Sequence, residues 1–357
     1  MPIAIICAIE ITRKRSMLNI SHISFLTPGN YADDAPGQGL EETLQLIELG
    51  ETLGYDGAWV RQRHLEHGVS SASVFLAAAT QRTRTIELGS AVIQMGYESP
   101  FRLAEDLLTV DVLSNGRLNV GLSAGAPNHV ELIGDNVFHG DWRQQDFSYA
   151  RLKKLQENLS GQFFGDDETY VISPGNRQRP RVQPASPQLL HRLWYGGNSH
   201  RSIQWAAENQ FNLLIGNLTS AEVSSDYHQA QLALIRAFRQ HWPANASRQP
   251  RIAAGRVIIP TDNANRATIK RYQDFAASRY QRTLEPQGPK RTIFSEDIVG
   301  SSEEIVAQLI DDPLLREVTE FRVELPYEFT NEEYSQIITD FIEGVAPHLG
   351  WKRKGRN

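Results

Sequence analysis

The chain has 357 residues, 40% of them hydrophobic and 22% charged, which is the composition of a folded globular protein and not of a disordered or fibrous one. A net charge of −6, with no basic stripe interleaved with aromatics, argues against a nucleic-acid partner. A single cysteine, Cys7, excludes an internal disulfide and a cysteine-rich metal site, and fits a reducing, cytoplasmic setting.

The opening MPIAIICAIEITRKRS places its basic cluster after its apolar run, the reverse of a secretory signal. The run is also too short to span a bilayer, so no membrane partner is expected. Residues 1 to 16 are expected to be a disordered extension, and residues 17 to 357 a single domain. The basic tail WKRKGR reads as a solvated end.

In chain order, ISHISFLT (20 to 27) reads as a strand stopped by Pro28-Gly29, and Leu40, Leu44, Ile47 and Leu53 fall at helical spacing behind it. The alternation continues with the strand GAWVRQRH (57 to 64), the helix SASVFLAAATQR (71 to 82) and the strand TIELGSAVI (85 to 93). Next come a helix from Pro100 to Leu113, an Asn115-Gly116 turn, the strand RLNVGLSA (117 to 124) and a helix near 146 to 160. An irregular stretch over 161 to 191 is long enough to carry a function or its own ribbon. Beyond it stand RLWYGG (192 to 197), the helix SHRSIQWAAEN (199 to 209), FNLLIG (211 to 216), a helix over 220 to 241 and RIAAGRVIIP (251 to 260). A helix near 264 to 280, SSEEIVAQLI (301 to 310), the strand EFRVELPYE (320 to 328) and the helix NEEYSQIITDFIEGV (331 to 345) complete the series.

Eight strands thus alternate with helices. Several are nearly continuous in apolar residues, as strands covered on both faces are, and hairpin signals between them are scarce. No GxGxxG follows the first strand, which disfavours an open dinucleotide-binding sheet. The expected fold is an α/β TIM barrel, with insertions after strands 4 and 7.

In such a barrel the loops after the strand C-termini build the active site. That places His64, Ala91 to Gln94, Ser123 to Gly125, Gly196 to Ser199, and Gly216 with Asn217 on the functional rim. In WYGGNSHRS two glycines permit close approach of a ligand, and a helix then begins among Asn198, Ser199 and Ser202. Its unpaired N–H groups favour phosphate. The same residues equally suit plain helix capping. His64, with an unperturbed pKa of about 6.5, suits proton exchange, or else a structural hydrogen bond. His64, His67, His129 and His139 show no metal-binding motif, so no metal is expected. Asp111 and Arg117 are placed to pair across the Asn115-Gly116 turn. Arg102 and Glu105 suit a local ion pair, Trp59 suits the core, and no GxSxG nucleophile elbow occurs.

Three blocks, RHLEHGVSSASVFLAAATQRT, IELGSAVIQMGYESPFRLAEDLLTVDVLSNGRLNVGLSAG and LWYGGNSHRSIQWAAE, in this order and spacing, resemble the bacterial luciferase-like flavin monooxygenases. The late VGSSEEIVAQL resembles a further element of that family, and the likeness extends over roughly residues 18 to 345. It implies a TIM barrel that binds reduced FMN, often delivered by a separate flavin reductase, and uses dioxygen to oxygenate a small organic substrate. By this resemblance Ser199 and Ser202 hold the FMN phosphate, and Asn198 stands where luciferase has a glutamate. Ala91 and Val92 form a non-proline cis pair beneath the ring, with Ser123, Ala124 and Gly197 also at the flavin. Ala124 replaces a phosphate-binding arginine. His64 matches the first histidine of an EHH triplet whose other members are here Arg63 and Leu65. Two further readings stay open: a deazaflavin-dependent hydride transferase of the same fold, and a non-catalytic flavin-binding protein. The apolar circumference of SASVFLAAAT predicts a homodimer.

Overall fold

In the computed structural model, residues 18–354 are described. The expectation for residues 1 to 16 lies outside them. Eight parallel strands close into a barrel: β1 (His22–Thr27), β2 (Gly57–Val60), β3 (Glu87–Gln94), β4 (Leu118–Ser123), β5 (Leu193–Gly196), β6 (Asn212–Ile215), β7 (Ile252–Arg256) and β8 (Glu320–Glu324). β1 pairs with both β2 and β8, which closes the ring. The major helices are α1 (Pro36–Leu53), α2 (Ala72–Arg82), α3 (Pro100–Leu113), α4 (Val130–Phe138), α5 (Ala150–Leu159), α6 (His200–Glu208), α7 (Tyr227–His241), α8 (Arg266–Arg279), α9 (Ser302–Asp311) and α10 (Asn331–Asp340).

Period-two alternation sorts the strand side chains. On β8, Phe321 and Val323 join the shell between sheet and helices, while Glu320, Arg322 and Glu324 belong to the barrel interior. The interior is packed at mid-height by Leu26, Trp59, Trp194, Leu214 and Ala253, with the two indoles edge to face at 5.5 Å. Trp59 is therefore core, as expected.

At the N-terminal end of the barrel the interior turns polar. Arg251 bridges Glu320 (Nε to Oε1, 2.5 Å) and Glu87 (Nη2 to Oε2, 2.9 Å), and Asn119 accepts from the Trp194 indole at 2.9 Å. His22 stands between Glu87 and Glu320 at ion-pair distances of 3.4 and 3.6 Å. Burial alone would pull its imidazole down, but the two carboxylates hold it above its ordinary value. Burial likewise opposes ionisation of Glu87, yet His22 and Arg251 hold it down to about 2.

The chain enters β4 through left-handed backbone at Asn115 and Gly116 (φ 56° and 77°), the turn that Asn-Gly predicts. Asp111 and Arg117 do not pair across it. The Asp111 carboxylate instead takes Arg192 in two bonds (2.6 and 3.1 Å) and the Ser186 hydroxyl (2.6 Å). Arg117 donates to Thr83 and to the Ile86 carbonyl. Arg102 does pair with Glu105.

The insertions fall where expected. After β4 come α4, between the expected strand 117 to 124 and helix 146 to 160 where no element was expected, then α5 and an exposed ribbon pairing Val171–Ser173 with Asn176–Gln178. After β7 the stretch expected as one strand breaks at Val257, and Ile258–Pro260 pairs outside the barrel with Ile298–Gly300. β2 ends at Val60, four residues short of His64.

Candidate active site

The strand C-termini all open on one face, where a cavity of about 260 Å³ enters the barrel mouth. Its wall contains Ala91 and Val92 from β3, Gly196, Gly197 and Asn198 from the end of β5, and Gly216 and Asn217 after β6. Its floor contains Leu26, Leu214, Arg61, Arg322 and Glu324. A larger hollow of about 670 Å³, near Ile252 and Thr319, lies at the N-terminal ends of β7 and β8, so size alone does not select the site.

Between Ser90 and Ile93 the β3–β4 register shifts, and the Ala91–Val92 peptide inside that irregularity is cis. The two residues pack against the interior tryptophan cluster from above. The glycines opposite them are needed for their lack of a side chain. A Cβ on Gly196 would come within 2.7 Å of Val92 Cγ1, and one on Gly197 within 2.6 Å of the Tyr195 ring and 2.8 Å of Ser202 Oγ.

At the rim, α6 begins with a reciprocal cap. Ser199 Oγ accepts from Ser202 N at 3.3 Å, and Ser202 Oγ accepts from Ser199 N at 3.3 Å. The His200 N–H is taken by Glu222 Oε2 at 2.9 Å. The helix start therefore already holds one anionic oxygen supplied by this chain, as its partial positive charge favours. A phosphate here would displace the Glu222 carboxylate and re-aim the serine hydroxyls.

Ala91, Val92, Gly197 and Asn198 thus meet at one cavity, with Ser199 and Ser202 at the adjoining helix start. Ser123 and Ala124 end β4 outside that lining, where the Ser123 carbonyl accepts from Met95 N and Ala124 packs against the outer core. His64 also lies outside it, in the irregular segment after β2, with its ring edge to face on Tyr97 at 4.8 Å.

His64 is held by a residue that sequence reading passed over. Gln62 Oε1 accepts from Ala72 N at the start of α2 (2.9 Å), which fixes which way the amide faces. Gln62 Nε2 is then left to donate to Glu98 Oε1 (2.9 Å) and to His64 Nε2 (3.3 Å). That nitrogen can accept only while it carries no proton, so the contact favours the neutral ring with its proton on Nδ1. Burial, and then the nearby His129, lower its pKa in the same sense. Burial pushes the Glu98 carboxyl up, against the Gln62 bond.

Sequence reading also missed the charged floor. Arg61 Nη2 meets Glu324 Oε2 at 3.1 Å, and Arg322 Nη2 lies 3.5 Å from Glu324 Oε1. Charged residues within the run EFRVELPYE, alternating with outward Phe321 and Val323, were the available signal.

A family model described as luciferase-like monooxygenase matches residues 21–316. The chain belongs to the luciferase-like monooxygenase family. Among relatives, it is 35% identical over 121 residues to a 4-hydroxyprotoasukamycin monooxygenase of Streptomyces nodosus subsp. asukaensis, and the match spans about a third (33%) of either chain. Among solved structures, it resembles the oxygenating constituent of 3,6-diketocamphane monooxygenase from Pseudomonas putida, a complex with FMN (TM-score 0.63, 13% identity, 94% of this chain and 100% of that one). It also resembles an F420-dependent secondary alcohol dehydrogenase (TM-score 0.58, 14% identity, 92% and 99%). At these identities the structural likenesses establish the barrel. Proteins sharing this barrel therefore include one that binds FMN and one that depends on F420.

Proposed function

We propose that this luciferase-like chain is an FMN-dependent monooxygenase that uses reduced flavin and dioxygen to oxygenate a small organic substrate, the reduced flavin coming from a separate reductase. The observation that carries this reading is the convergence of Ala91, Val92, Gly197 and Asn198 on one cavity at the barrel mouth. The residues present fit a flat, acceptor-bearing ligand: side-chain-free glycines face the β3 irregularity, and the buried Arg322 and half-buried Arg61 guanidinium groups lie beneath. At about 260 Å³ the hollow is slightly under the roughly 300–1,000 Å³ of ligand pockets, a size for the inner part of such a cofactor.

Reduced FMN, when bound, supplies the reactivity toward dioxygen. Ala91 and Val92 then support its ring, Asn198, Ser199 and Ser202 hold its phosphate, and Ser123 and Ala124 border the rim. His64, neutral and protonated at Nδ1, serves as the proton-exchanging group. A hydride-transferring deazaflavin enzyme is the second reading, favoured by the likeness to the F420-dependent dehydrogenase. A non-catalytic flavin carrier is the third, favoured by Ala124 and by the closed cap at α6.

The test is titration of the purified protein with reduced FMN and with F420, followed by oxygen-uptake assays with a flavin reductase. FMN binding with substrate-dependent oxygen uptake is expected. Natively folded protein that binds only F420, or neither cofactor, overturns the reading. Loss of turnover in His64→Ala with FMN affinity retained excludes the carrier.

The same reading includes a cytoplasmic homodimer. α2 buries Ala72, Phe75, Leu76 and Ala79 but leaves Val74 70% exposed, and α3 exposes Phe101 and Val112, so a second apolar face remains for a copy of the chain. Light scattering is expected to give a dimer mass; a monomer at micromolar concentration refutes this part.

A further inference from the structure

The polar floor of the cavity is unbalanced. Arg322 and Glu324 are each 3% exposed, and Arg61 is 21% exposed, so two guanidinium groups share one carboxylate in a largely dry place. Glu324 is fixed there by small neighbours: its Oε1 would lie 2.2 Å from a Cβ on Gly255 and 3.0 Å from one on Gly216. Its two oxygens are spent on the two arginines.

The donors are not matched. Arg322 makes one long contact through Nη2, while its Nε and Nη1 are buried with no acceptor. Arg61 Nε is buried without an acceptor as well. Beneath Arg322 lies the Trp59 ring, 5.6 Å from the guanidinium carbon, which offers a face but no lone pair. Buried donors and buried charges are ordinarily paired, because leaving them unmet is costly. An anion with paired, coplanar acceptors matches both the open guanidinium donors and the excess positive charge, and the cavity gives it a route in.

We propose that Arg322 and Arg61 form an oxyanion seat in the floor of the cavity for a delocalised planar anion. Two sources carry that chemistry: the negatively charged ring of reduced flavin, and a carboxylate on the organic substrate. The inference rests on the flavin reading for the first source and not for the second.

The test compares the wild type with Arg322→Met and Arg322→Lys. If the flavin ring is the source, Arg322→Met weakens binding of reduced FMN about tenfold more than that of oxidised FMN. The potential of bound FMN then falls by about 30 mV, the equivalent of tenfold for two electrons. Arg322→Lys retains most of that preference. If a substrate carboxylate is the source, both FMN affinities stay unchanged, while benzoate binds the flavin-free wild type and loses at least tenfold in Arg322→Met. Folded Arg322→Met that keeps the reduced-over-oxidised FMN preference and the benzoate affinity of the wild type overturns the seat. A wild type that binds no FMN defeats the flavin reading separately, and the benzoate comparison then decides the seat alone: no benzoate binding, or equal binding in both proteins, overturns it.

Discussion

Replacing Gln62 by methionine keeps the bulk of the side chain and removes every polar contact that orients His64. In the native arrangement the Gln62 amide donates to His64 Nε2, a bond that exists only with the neutral imidazole. A hydrogen bond of this kind contributes about 0.5–1.5 kcal/mol. Its loss removes that preference for the uncharged ring and raises the His64 pKa. The direction is upward because the bond is available only to the neutral ring, the form that burial and His129 also favour. The same substitution orphans Ala72 N at the start of α2, which costs about 1–3 kcal/mol of stability.

Carbon-labelled histidine NMR, titrated from pH 4.5 to 8, reads the His64 ring directly and needs no cofactor. Assignment comes from the His64→Ala spectrum. His129→Gln, which does not touch α2, separates orientation from stability: it removes a neighbouring like charge together with a 3.5 Å contact to Glu66, so the His64 pKa rises while Ala72 N keeps its partner. A His64 pKa that stays constant or falls in folded Gln62→Met refutes the assigned tautomer, whatever happens to stability.

Gly89→Ala tests the barrel interior: the new Cβ would lie 2.3–2.7 Å from Trp59 ring atoms that Trp194 backs, so a loss of about 1–3 kcal/mol is expected, and an unchanged urea midpoint contradicts the packing. His22 gives a pH signature. Its folded pKa lies above the reference 6.5, so its stabilising contribution is complete below pH 6.5 and is lost as pH rises through the folded value. Urea midpoints between pH 6 and 9 are expected to decline in the wild type and to lose that component in His22→Gln; parallel curves refute it. Glu222→Gln removes the charge that competes at the α6 start, and FMN binding is expected to tighten roughly two- to fivefold from about 0.3–1 kcal/mol, with riboflavin, which lacks the phosphate, unaffected. An equal gain for riboflavin would rule out competition for phosphate.

The barrel was legible because strands buried on both faces leave a strong apolar signal and their helices supply the connections. Elements outside that rule were not. α4 goes unannounced because it buries only Val130 and Gly134 and leaves Leu132 74% exposed, so no one-sided apolar stripe marks it. Asp111 found Arg192, 81 residues away, where proximity in sequence suggested Arg117. Of the site, the glycines were read from their place at the end of a barrel strand, and the cis pair through family resemblance. Gln62 was not, because an amide shows its role only once Ala72, Glu98 and His64 surround it.

The two ends of the barrel interior show why the charged floor escaped notice and why it matters. Both ends are polar, so polarity does not separate them. Arg251, at the N-terminal end, uses Nε, Nη1 and Nη2 on Glu320, Asn119 and Glu87. Arg322, two residues along the same face of β8 from Glu320, makes one 3.5 Å contact. A saturated guanidinium braces strands, and this one ties β3, β4 and β8 together beneath the tryptophan layer. An unsaturated one, held dry at the mouth beside Glu324 and over Trp59, keeps Nε and Nη1 open for an acceptor. Sequence reports a charged residue at an interior position in both cases. Between these two arginines, the count of met and unmet donors separates the one that braces the fold from the one left open to a ligand.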